Sequence, residues 1–216
     1  MMVICMAYEA ILFDLDGTLV DSNQLILETF RQTVGRHFPQ KAKPTQQMVD
    51  YIGPPLKESF RDFTDDSVMI DTMIDTYRKV YQTIEFDYVR LFPNVIETLQ
   101  TLQASHIPVA VVTTKFRESA WPSMHRFGID KLTDVLIALD DVTHHKPHPQ
   151  PIQKALKVLK KRNAVMIGDN LSDIRAGKRA HIATAAVSWS IHKDKLKQEK
   201  PDHWIKDMTD VIKLIK

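Results

Sequence analysis

A short run of apolar residues, a polar turn and then apolar positions at helical spacing recur along the chain. The first run is Ala10-Ile11-Leu12-Phe13 and the second is Ile107-Pro108-Val109-Ala110-Val111-Val112. Asp134-Val135-Leu136-Ile137-Ala138-Leu139, Ala164-Val165-Met166-Ile167 and Ile182-Ala183-Thr184-Ala185-Ala186-Val187 follow. Runs that are apolar throughout, rather than alternately, mark strands buried on both faces. Between them, Val95, Leu99 and Leu102 share one helical face, as do Ile152, Leu156 and Leu159. Such alternation predicts an α/β fold with a Rossmann-like parallel sheet and right-handed crossovers. Sheets of this kind place their ligands at the carboxyl ends of the strands. The polar motifs below each follow one of these runs.

The alternation breaks once. From about Asn23 to Asp87 only helical stretches are found, chiefly Gln24 to Phe38 and Val68 to Ile84, with Pro39, Pro44 and Gly53-Pro54-Pro55 as breaks. This predicts an all-helical insert over 21–88 and a core made of 1–20 and 89–216. Pro93 is expected to open the next helix, where a missing N–H costs little.

Composition narrows the function classes. Of 216 residues, 44% are hydrophobic, enough for a buried core without disulfides. The single cysteine, Cys5, has no internal partner and reads as a buried strand residue. A formal net charge of +2 is too balanced for a nucleic-acid surface. No stretch is long and apolar enough to span a bilayer, and the apolar start lacks a basic leader. A cytoplasmic protein with neither membrane nor nucleic acid as partner is expected.

Four polar sites carry candidate chemistry. In Asp14-Leu15-Asp16-Gly17-Thr18, two carboxylates two residues apart point the same way in extended chain. One can attack phosphorus while the other handles protons. Gly17 lets the backbone turn and offer amide N–H groups to a phosphate. Thr113 and Thr114, after the second run, offer a hydroxyl and amides to phosphate oxygens, although a strand-end threonine also serves as a cap. Lys146, in His145-Lys146-Pro147-His148, offers a compact positive charge. His144 and His148 are four apart, but Pro147 and Pro149 make the helix that would pair them on a metal implausible, so solvated or pocket-edge histidines are expected. In Gly168-Asp169-Asn170-Leu171-Ser172-Asp173, Asp169 could join Asp14 around Mg²⁺, with Asp173 in support. The alternative there is helix capping by Asp169 or Asn170, with Asp173 in the first turn.

These motifs, in this order from Ile11 to Val187, resemble the haloacid-dehalogenase-like hydrolase superfamily. The resemblance implies a helical cap inserted after the first motif. It also implies that Asp14 becomes a phospho-aspartate and that Asp16 protonates the leaving group and then activates water. Thr113 and Lys146 would hold the phosphate and its charge. Asp14, the Asp16 backbone carbonyl and Asp169 would carry Mg²⁺, with Asp173 supporting. Asp16-Gly17-Thr18 is the phosphatase form of the motif rather than the dehalogenase form. Tyr51-Ile52-Gly53-Pro54-Pro55-Leu56, Leu139-Asp140-Asp141-Val142 and Val187-Ser188-Trp189-Ser190-Ile191 further resemble the PpaX-type inorganic pyrophosphatases. That implies pyrophosphate as substrate. Lys146-Pro147-His148-Pro149 is common among phosphoglycolate phosphatases, which implies a small phosphomonoester as the alternative. Phosphate transfer in the manner of the sugar-phosphate mutases and a non-catalytic binding role are the remaining readings. Lys57, Arg61 and Arg117 are candidates for added charge toward a compact polyanion, or else plain surface charges. Cap closure would exclude water, with hinges near Leu19 to Ser22 and Asp87 to Leu91.

Overall fold

The structure is a computed structural model that describes residues 7–42, 44 and 47–215. Cys5 lies outside the described residues. In chain order the strands are β1 (Ala10–Phe13), β2 (Val20–Asp21), β3 (Arg90–Leu91), β4 (Val109–Val112), β5 (Val135–Ile137), β6 (Ala164–Gly168), β7 (Ala183–Val187) and β8 (His203–Ile205). The helices are α1 (Asn23–His37), α2 (Leu56–Phe60), α3 (Ser67–Tyr88), α4 (Val95–Ala104), α5 (Arg117–Arg126), α6 (Gln150–Leu159), α7 (Leu171–Arg179) and α8 (Lys193–Glu199). The chain divides into two compact units, Met1–Leu19 with Leu91–Lys216, and Val20–Arg90.

The first unit is built on a six-stranded sheet in the order β5-β4-β1-β6-β7-β8, with all neighbours parallel. β1 lies at its centre, with Ile11 opposite Val109 on one side and Val165 on the other. One face of the sheet, including Leu12, Val112, Ile137 and Met166, packs on Ile152 and Ala155 of α6 and Ala176 of α7. The opposite face, including Ile11, Phe13, Val111 and Ile167, is buried as well. Burial on both faces is why these runs are uniformly apolar, each large aliphatic contributing on the order of 1.5–3 kcal/mol.

The five expected strands are present, three of them with trimmed ends. The second strand starts at Val109, because Ile107 donates its N–H to Leu102 O and Pro108 has no N–H to give, although its carbonyl accepts from Ile11. Leu139 leaves β5 to open a 3₁₀ turn, Leu139–Asp141. β8 was not expected from the pattern: three residues at a sheet edge carry too little periodicity. The expectation for Pro93 is corrected. α4 starts at Val95, and Asn94 takes the N-cap with φ of 63°, so the proline stands outside the helix.

In the second unit α1 and α3 pack together, and α3 is capped by Asp66, whose side chain accepts the Val68 N–H at 2.9 Å. Aromatic rings hold this core: Phe30 lies 5.0 Å from Tyr77, 5.1 Å from Phe60 and 5.3 Å from Tyr51, centroid to centroid. No helix of the described residues is long and apolar enough to cross a membrane.

Candidate active site

Because β4, β1 and β6 are adjacent and parallel, the residues following them emerge along one edge of the sheet. Asp14 follows β1, Thr113 follows β4, and Asp169 follows β6. Lys146 reaches them from the loop after β5. Its Nζ donates to Asp14 Oδ1 at 2.7 Å, Asp173 Oδ1 at 2.6 Å and Val112 O at 2.8 Å. All three donor directions of the ammonium are thereby used. Asp14 is 7% exposed, Lys146 3%, Asp169 2% and Asp173 0%, so these charges meet out of bulk water.

Asp173 takes part in capping α7 and also holds Lys146. Asn170 caps α7 by accepting the Ser172 N–H at 3.1 Å, and Asp173 Oδ2 closes the capping box by accepting the Asn170 N–H at 3.0 Å. Its other oxygen holds Lys146. Asp169 differs, because its buried Oδ2 has no hydrogen-bond partner. Asp14, Asp169 and Asp173 offer one oxygen each within 4.8 Å of one another, the only group of three or more possible ligands among the described residues. Three buried carboxylates against one buried ammonium, with one oxygen left unpartnered, form a hard oxygen site suited to a divalent cation.

The electrostatics agree. Burial, reinforced by Asp173 and Asp16 but opposed by Lys146, pushes the Asp14 carboxyl up to about 7. Burial, and then the charges of Asp14 and Asp173, raise Asp169 well above the ordinary carboxylate range. Burial alone would lower Lys146, yet Asp14 and Asp173 outweigh it and raise it. For a carboxyl, an elevated folded-state value means the fold binds the proton more tightly than the unfolded chain does. The stability this gives is complete below 3.8 and lost as pH rises through about 7. Without metal, melting temperature should therefore fall between pH 5 and 8. Asp169→Asn, which breaks no side-chain hydrogen bond at Oδ2 and removes a second buried carboxyl held well above the ordinary range, should lessen the loss of stability on the alkaline side of that range and leave a higher Tm there. Melting curves in EDTA check this, and a steeper fall in the variant would contradict it.

The two carboxylates of the first motif do not share an extended strand. β1 stops at Phe13, and the chain bends from Leu15. Each has its own lysine, with Lys115 Nζ 3.4 Å from Asp16 Oδ1. Lys115 was not assigned a role in the sequence. It lies two residues beyond Thr113, whose Oγ1 accepts the Lys115 N–H at 3.1 Å. Gly17 has φ of 86°, and a Cβ there would overlap the Asp169 carboxylate, so the first and last motifs meet backbone to side chain. Thr113 is buried, and Thr114 beside it is partly exposed.

The guanidinium of Arg117 is tied to Leu136 O at 2.9 Å and Asp141 Oδ2 at 2.5 Å, which assigns it to the β5 end of the fold. Lys57 and Arg61 are exposed residues of the helical unit. The His144 and His148 rings meet at a tilt of 38° with centroids 4.6 Å apart, in bends rather than a helix. Two further contacts were not anticipated from the sequence: Trp189 Nε1 donates to Gly17 O at 3.1 Å, and Ser190 Oγ donates to Asp169 O at 2.5 Å.

The haloacid dehalogenase-like hydrolase family model matches residues 11–187. Pyrophosphatase PpaX of Halalkalibacterium halodurans is 38% identical over 97% of this chain and 98% of its own length. Pyrophosphatase PpaX of Oceanobacillus iheyensis is likewise 38% identical, over 97% and 98%. A solved haloacid dehalogenase-like family hydrolase from Streptococcus pneumoniae superposes with a TM-score of 0.83 at 26% identity, covering 98% of this chain and 99% of that one. On the span of the family match and the near full-length identity, the chain belongs to the haloacid dehalogenase-like hydrolase family.

Proposed function

We propose that this protein is a Mg²⁺-dependent phosphohydrolase that works through a phospho-aspartate at Asp14, with inorganic pyrophosphate as its substrate. The observation that carries the chemistry is the buried Asp14 carboxylate, held through one oxygen by Lys146 at 2.7 Å beside the unpartnered Oδ2 of Asp169. The choice of pyrophosphate is supported by relatives named pyrophosphatase PpaX at 38% identity over almost the whole of both chains.

Asp14 attacks phosphorus through a carboxylate oxygen as the bridging P–O bond breaks. Asp16 delivers its proton to the departing phosphate oxygen. The resulting Asp16 carboxylate then takes a proton from water, whose oxygen attacks the phosphoryl group. The P–O bond to Asp14 breaks, and the carboxylate is restored. Lys146 stabilises the ionised form of Asp14 and lies where charge gathers on the transferring group. Thr113, Thr114 and the amides around Gly17 hold the phosphoryl oxygens. Asp14, Asp169 and the Asp16 backbone carbonyl are the groups assigned to Mg²⁺, with Asp173 fixing Lys146 rather than serving as a ligand. Bound there, Mg²⁺ supplies positive charge that offsets repulsion between Asp14 and an anionic substrate.

A panel of pyrophosphate, phosphoglycolate, sugar phosphates and nucleotides, assayed with Mg²⁺ and with EDTA, tests the reading. Pyrophosphate should give the highest kcat/KM, and EDTA should reduce turnover to background. A preference for phosphoglycolate would replace the substrate and keep the chemistry. Undiminished turnover in EDTA would remove the metal from the mechanism.

A further inference from the structure

Asp169 presents a buried carboxylate oxygen that no protein group holds, so its aim depends on where the backbone puts it. That backbone is anchored from an unexpected direction. The segment after β7 turns back, with the Ser190 N–H donating to Val187 O at 3.3 Å. Ser190, 7% exposed, donates its hydroxyl to Asp169 O at 2.5 Å. The same hydroxyl accepts the His192 N–H at 2.9 Å, which fixes the direction of its proton. The residue before it, Trp189, donates its indole N–H to Gly17 O at 3.1 Å and rests its ring on Phe92, centroids 5.2 Å apart. Adjacent side chains thus hold one carbonyl in the Asp14-to-Thr18 loop and one at the end of β6. Those two loops are already in contact, because no Cβ fits between Gly17 and Asp169.

We propose that Trp189 and Ser190 are positioning residues that fix the nucleophile loop and the Asp169 loop against each other, and so set the affinity of the carboxylate site for its divalent cation. The placement of that cation rests on the function proposed above. Two loops on neighbouring strands can each drift by a few tenths of an ångström, and a small ion with strict oxygen geometry is sensitive to that scale. Groups outside the ligand set that orient it change metal affinity by about 10–100-fold when removed.

The test is Mn²⁺ binding to the full chain, read from the electron paramagnetic resonance signal of free Mn²⁺ without substrate. Ser190→Ala should weaken binding by about tenfold, and Trp189→Phe, which keeps a ring on Phe92 but loses the donor, by about threefold. Ser190→Ala also removes the acceptor of the His192 N–H, whereas Trp189→Phe leaves it intact, so the pair separates the clamp from general loosening. Circular dichroism and melting curves identify the folded variants. Restoration of pyrophosphate KM at saturating Mg²⁺ in both would support positioning of the ion rather than of substrate. Wild-type Mn²⁺ affinity in both folded variants would overturn the proposal while leaving the hydrolase reading in place. Because binding is read without turnover, a loss of affinity supports the clamp even if pyrophosphate proves not to be the substrate.

Discussion

Asp14→Asn is expected to lower pyrophosphate turnover by at least about 10⁴-fold, the scale on which removal of a covalent nucleophile acts. The substitution is close to isosteric, and asparagine still offers an oxygen to Lys146, so the fold should survive. What is lost is the nucleophile, since an amide does not form a stable phosphoryl ester. In metal-free buffer the variant should also be no less stable than the wild type at pH 8. There the ionised Asp14 works against burial that has pushed its carboxyl up to about 7. A steady-state assay with a melting curve at the same pH measures both. Turnover within tenfold of wild type would require a different nucleophile.

Lys146→Ala should damage stability as well as activity. It leaves Asp14 and Asp173, now 2.7 Å and 2.6 Å from the ammonium, buried without a counter-charge. Breaking a buried pair by removing one partner costs about 3–5 kcal/mol. For a chain of this length that corresponds to a fall of roughly 6–20 °C in Tm. The loss should shrink toward pH 5, because Asp14 is then mostly protonated and the orphaned charge is smaller. Lys146→Arg should rescue poorly. A planar fork cannot place one nitrogen among Asp14, Asp173 and the Val112 carbonyl as a compact ammonium does. Urea melts at pH 5 and pH 8 test the pattern. A loss independent of pH would point to packing rather than charge.

The sheet was legible because β1, β4 and β6 are buried on both faces and so leave uninterrupted apolar runs, such as Ala10 to Phe13. Asp14 and Asp169 were legible for a related reason: each directly follows such a run, where a parallel sheet gathers its loop residues, and Lys146 and Asp173 stand in the polar segments that come after. Asp173 was read as either a first-turn residue of the helix or a support for Mg²⁺, and its two oxygens divide between the cap and Lys146. Contacts between distant segments were not legible. Trp189 meets a carbonyl 172 residues away, and nothing in local spacing marks a side chain for that task. Arg117 looked available to an anion because charge pattern does not show that Asp141 folds back onto it. Pro93 misled because a proline near a helix start can stand outside the cap, with Asn94 supplying the left-handed residue instead.

The central claim is that phosphorus becomes bonded to Asp14 during turnover. Acid quenching during pyrophosphate hydrolysis, followed by borohydride reduction and peptide mass spectrometry, reads this directly, since reduction converts an aspartyl phosphate to homoserine. Homoserine at position 14, formed only when both pyrophosphate and Mg²⁺ are present, is the predicted result. Homoserine at another aspartate, or none at position 14 alongside undiminished turnover by Asp14→Asn, would contradict it.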